Sequence, residues 1–78
     1  MSSDALTALF AEVLNLPAAD LSEETSPDNT PAWDSLRVME LVAAIEDTFD
    51  VQLSTAEMMQ MRSIGLARGI LRGKGARV

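Results

Sequence analysis

The chain has 78 residues, no cysteine, no histidine, and twelve acids against six bases, for a formal net charge of −6. That is room for one small domain, which buries only about 60–65% of the surface its unfolded chain exposes. A disulfide framework, thiol catalysis, a Ser-His-Asp triad and histidine metal sites are all excluded.

The first helix is expected from about Asp4 to Asn15, capped by Ser2, Ser3 or Asp4. Leu6, Leu9, Phe10, Val13 and Leu14 recur at helical spacing and form its apolar stripe. Pro17 is expected to stop it just after Leu16. From Pro17 to Trp33 the pattern breaks into prolines and short polar residues. This reads as a long connecting loop with one turn near Leu21, its ends anchored in the core by Leu21 and Trp33. The alternative for Trp33 is contact with a partner.

A second helix starts at Asp34 or Ser35 and runs to about Thr48. At 100° per residue, Val38, Leu41, Val42, Ile45 and Phe49 cluster on a core face. The opposite side carries Leu36, Glu40, Ala43 and Asp47, flanked by Met39 and Glu46. A face that mixes apolar residues with acids suits docking. Residues 50–53 form a short link, and Ser54 with Glu57 matches a capping box. A short third helix follows with Met58, Met59 and Met61, read as core filler. Ser63 caps a fourth helix whose apolar residues are Ile64, Leu66, Ala67, Ile70 and Leu71. Gly65 and Gly69 weaken it by about 1 kcal/mol each relative to Ala, and Gly73 and Gly75 end it.

No stretch alternates well enough for a strand. The expected fold is all-α: a small bundle of three principal helices plus one short helix, with a long loop between helices one and two. Residues 1–72 form the domain and residues 73–78 a flexible basic tail. The charges divide along the chain, because all twelve acids precede residue 62 and five of the six bases follow residue 61. The acidic body should repel nucleic acid and anionic membrane and attract basic protein surfaces. No apolar run reaches the roughly 20 residues of a membrane span, and the N-terminus lacks the basic start of a signal peptide. A cytoplasmic monomer is expected.

The informative segment is Trp33-Asp34-Ser35-Leu36, where the long loop becomes the second helix. With Asp34 as N-cap, its carboxylate accepts free backbone N–H groups of the first turn. Ser35 then takes the first helical position, exposed, where the positive end of the helix dipole favours an anion such as a phosphodiester.

Asp34-Ser35-Leu36, the run VMELVAAIEDTFDVQL after it, and Ser63-Ile64-Gly65 resemble the acyl carrier protein family over nearly the whole chain. The resemblance implies a freestanding carrier, not an enzyme. Its 4′-phosphopantetheine arm would sit on Ser35, with Asp34 and Leu36 completing the motif. It implies a partner-binding face of Leu36, Arg37, Met39, Glu40, Ala43, Glu46 and Asp47. The partners would be a phosphopantetheinyl transferase, an acyl- or aminoacyl-loading ligase, and downstream synthases or transferases. Arg37 stands where fatty-acid carriers often have an acid, Gln52 where an acid is frequent, and Thr30-Pro31-Ala32-Trp33 replaces the usual lead-in. These departures point to a specialised biosynthetic pathway. Two other readings stay open: a small acidic interaction module without covalent modification, and an ion-binding domain using Asp28, Asn29 and Asp34, whose spacing does not match a calcium loop.

Overall fold

The computed structural model describes residues 4–78. In chain order these form α1 (Ala5–Leu14), a single 3₁₀ turn (Ala18–Asp20), α2 (Ser35–Phe49), α3 (Thr55–Gln60) and α4 (Ile64–Gly73). Among the described residues there is no strand, and no helix is long and apolar enough to cross a membrane.

Each helix starts on a side chain that accepts an otherwise free N–H of the first turn. Asp4 accepts from the Thr7 amide at 2.7 Å and Asp34 from Arg37 at 2.9 Å. Ser54 accepts from Glu57 and Ser63 from Leu66. Ser54 and Glu57 complete the capping box, with Glu57 Oε1 accepting from the Ser54 amide at 2.9 Å. Ser2 and Ser3, the other candidates for the first cap, lie outside the described residues.

Helix α1 ends at Leu14, before Pro17 takes effect. Asn15 turns left-handed (φ 58°, ψ 47°), and the Leu16 amide returns to Ala11 O at 3.0 Å. Asparagine is one of the few residues that enters this conformation at low cost.

The core joins Leu6, Phe10 and Leu14 of α1 to Leu41 and Ile45 of α2 and to Ile64, Ala67 and Leu71 of α4. Trp33 is 2% exposed and stacks on Phe10, the ring centroids 5.1 Å apart and tilted by 58°. It is therefore a core anchor and not an exposed contact on the surface. Val13, Leu21, Val38, Phe49 and Ile70 pack partly buried against this core. Leu66 departs from the expected apolar face of α4 and is exposed. Two residues after Ile64, it falls on the opposite side of the helix.

The long loop is fastened to the start of α4. The Ile64 amide donates to Thr25 O at 3.1 Å and the Gly65 amide to Glu23 O at 3.0 Å. A Cβ on Gly65 would stand 3.1 Å from Glu23 O, so glycine is what lets the loop come this close. Its cost to the helix is thus offset by a tertiary contact that sequence spacing does not reveal. Gly69 has open space around it and only the cost.

Arg68 locks the same corner. It is buried on the core stripe of α4, and its guanidinium binds Glu23 twice at 2.8 Å and Asp4 at 2.9 Å. The ion pairs hold the guanidinium proton even more firmly than usual, Glu23 contributing most. They also hold the Glu23 carboxyl below its ordinary range. Asp4 is lowered first by the Thr7 amide and then by Arg68. Further along, Lys74 pairs with Glu57 at 2.9 Å and Arg72 Nε donates to Val78 O at 2.7 Å. Ala76 and Val78 rest against the core edge, so residues 73–78 turn back onto the body. Of these bases, Arg68 meets acids from the N-terminal part of the chain, whereas Lys74 meets Glu57 nearby.

Candidate functional site

The approach to α2 is extended at Asp34 (φ −107°, ψ −174°), and its carboxylate caps the helix through the Arg37 amide. Ser35 follows as the first helical residue and is exposed. Its hydroxyl stands at the positive end of a 15-residue helix, a position that favours an attached phosphate.

Beside Ser35 opens a cleft of about 580 Å³ between α2 and α3. Ser35, Val38 and Met39 form one wall, Met58, Met59 and Met61 the other, and Trp33 and Arg62 also line it. The lining is mainly hydrocarbon and thioether. The methionines were expected to fill the core, and only Met61 does so; Met58 is half-buried and Met59 is 72% exposed. A six-residue helix turns only part of its surface inward, and Met59 falls outside that part. The sequence signal for this wall was present, in a capping box followed by three methionines, but the space between two helices is not a property of either one.

The residues expected to dock partners lie together along the outer side of α2. Leu36 is 67% and Met39 64% exposed, and Glu40, Ala43 and Asp47 are exposed beside them. Three of the seven carry internal ties. Arg37 pairs with Glu40 at 2.6 Å, which raises the already high guanidinium pKa. Glu46 is half-buried, and its Oε2 accepts the Leu53 amide at 2.8 Å, fastening the link after α2. Asp28, Asn29 and Asp34 have other work. The Asn29 side chain accepts from the Ser26 amide and donates to Glu24 O, Asp28 sits 3.7 Å from Arg62, and Asp34 caps α2. Among the described residues no three potential ligands gather where they could hold a metal ion.

The sequence matches the family described as "Phosphopantetheine attachment site" over residues 4–66, from the cap of α1 into the first turn of α4. It is also 36% identical over 56 residues to an acyl carrier protein of Syntrophus aciditrophicus, spanning 72% of this chain and 70% of that protein. This chain belongs to the acyl carrier protein family. A second acyl carrier protein, from Clostridium acetobutylicum, is 30% identical over 57 residues, covering 73% of this chain and 74% of its own length. Acyl carrier proteins are carriers and not enzymes; they bear 4′-phosphopantetheine on a serine and work with phosphopantetheinyl transferases and biosynthetic enzymes. The surroundings of Ser35 fit such a group, because they offer an exposed hydroxyl, a helix N-terminus for the phosphate and an apolar cleft alongside.

Proposed function

We propose that Ser35 bears the 4′-phosphopantetheine arm and that this chain shuttles acyl or aminoacyl groups in a specialised biosynthetic pathway. The observation that carries this reading is an exposed serine opening a capped helix beside an apolar cleft.

In the modification, the Ser35 hydroxyl attacks the β-phosphorus of coenzyme A bound to a transferase. A new P–O bond forms, and the P–O bond to adenosine 3′,5′-bisphosphate breaks, the nucleotide leaving with the electron pair. The hydroxyl proton passes to a base at the transferase site; this chain has no histidine to take it, and Asp34 Oδ1 already accepts the Arg37 amide. Asp34 holds Ser35 at the first turn, and the α2 dipole favours the phosphodiester there. Once attached, the arm supplies a terminal thiol on which cargo travels as a thioester.

Leu36, Arg37, Met39, Glu40, Ala43, Glu46 and Asp47 form the surface that a transferase, a loading ligase and later synthases meet in turn. Exposed acids on this surface speed encounter with basic partners and make it sensitive to salt. Because Arg37 neutralises Glu40 and Glu46 holds the Leu53 amide, Asp47 is the acid with most freedom to meet a partner's base. The departures from fatty-acid carriers at Arg37 and in the lead-in to Trp33 support the specialised pathway. A cytoplasmic monomer accords with the acidic body.

The test is intact mass after incubation with coenzyme A and broad-specificity phosphopantetheinyl transferases, with Ser35→Ala in parallel. One added arm on the wild type and none on the variant is expected. Folded wild type that takes no arm from any transferase sinks the carrier assignment and leaves an acidic interaction module.

A further inference from the structure

One residue that lines the cleft beside Ser35 carries an unexplained donor. Trp33 lines it, two residues before the attachment position. The indole Nε1 is fully buried, and no acceptor for it exists among the described residues. A buried N–H without an acceptor is rare in native proteins and disfavours the fold that contains it. A phenylalanine would stack on Phe10 from the same position without that burden. The orphan donor thus belongs to a residue that also forms the wall next to Ser35. The neighbouring side chains are unbranched thioethers of Met39, Met58 and Met61, which repack readily when something enters.

We infer that Trp33 Nε1 donates a hydrogen bond to a neutral oxygen on the ligand borne by Ser35. This rests on the carrier reading above. The chemistry required is one carbonyl or hydroxyl acceptor, and it has two possible sources. One is an amide carbonyl of the arm; the other is an oxygen on the acyl group beyond the thioester. The second source would make the cleft prefer oxygenated acyl groups over plain hydrocarbon of equal length. A single buried N–H on a residue of an apolar wall matches one neutral acceptor. The charged donor that also lines the cleft, Arg62, is exposed and faces Asp28.

Trp33 is the one tryptophan in the chain, so its indole N–H gives a single resonance in ¹⁵N-labelled protein. The experiment compares four forms: unmodified, arm-bearing, butanoyl-loaded and 3-hydroxybutanoyl-loaded, each verified by intact mass. The indole proton is expected to move downfield and exchange more slowly with solvent in a form that supplies the acceptor. Movement complete in the arm-bearing form and equal in both loaded forms assigns the acceptor to the arm. Movement seen only with 3-hydroxybutanoyl assigns it to the cargo. In that case the hydroxylated form should also melt about 4–8 °C above the butanoyl form, and Trp33→Phe should erase the difference. The spectra are taken on wild-type protein, so they stand even if that variant folds poorly. An indole resonance unmoved in every arm-bearing form overturns this inference and leaves the carrier reading intact. Failure to take the arm at all overturns the carrier reading, and this inference falls with it.

Discussion

Where α4 begins, the long loop is fixed by backbone and charge together. Thr25 and Glu23 carbonyls receive the first amides of the helix, Gly65 lets them approach, and a buried Arg68 ties Glu23 and Asp4 to the same corner. The cleft between α2 and α3, by contrast, is walled by flexible side chains, with Met59 and Met39 mostly in solvent. Hydrogen bonds and ion pairs demand one geometry, whereas thioethers accept many. The contrast shows how a chain this small separates two needs. One end keeps the bundle assembled, which frees the other to change shape around a ligand.

Removing one side chain from each region should separate them most. Arg68→Ala should lower stability by about 2–3 kcal/mol, since it strips a buried guanidinium from two carboxylates. Met58→Ala, at the half-buried wall of the cleft, should cost about 1 kcal/mol or less. Denaturant titrations of both variants check this, and equal losses would mean the two regions are held alike.

Acid should act on the fastened corner next. The carboxyls of Asp4 and Glu23 titrate below their ordinary values of 3.8 and 4.5. A lowered folded pKa gives stability that is fully present above the ordinary value and is lost as pH falls through the folded one. The thermal midpoint should therefore hold from pH 7 to about pH 5 and fall below it. Both carboxylates are about half exposed, so each contributes about 1 kcal/mol or less. Glu23→Gln should flatten the acid limb, and an unchanged limb would remove Arg68–Glu23 from the account.

The smallest effect separates the two glycines of α4. Gly69→Ala should stabilise by about 0.5–1 kcal/mol, because helix propensity improves and nothing is in the way. Gly65→Ala should show no such gain, since the new methyl meets Glu23 O at 3.1 Å. Thermal melts of the pair decide it, and equal stabilisation would show that the loop yields easily.

What could be read from the sequence is what depends on residues within a turn of one another. The caps at Asp4, Asp34, Ser54 and Ser63 each reach an amide three residues on, and all four formed as expected. The position of Ser35 follows from its neighbour's cap, and the two faces of α2 follow from its periodicity. The left-handed turn at Asn15 also lay within reach of local reasoning, but Pro17 offered a stronger apparent stop. The tertiary structure alone decided the rest. Arg68 meets Glu23 across 45 residues, and only the packing of α4 on the loop turns a lone base on an apolar stripe into a buried lock. Gly65 is an ordinary weak helix residue until Glu23 O arrives beside it. The cleft and its methionine wall exist only because α3 stands away from α2. Local hydrogen bonds are fixed by chain geometry, whereas these contacts are fixed by which surfaces meet, and that is settled by the fold as a whole.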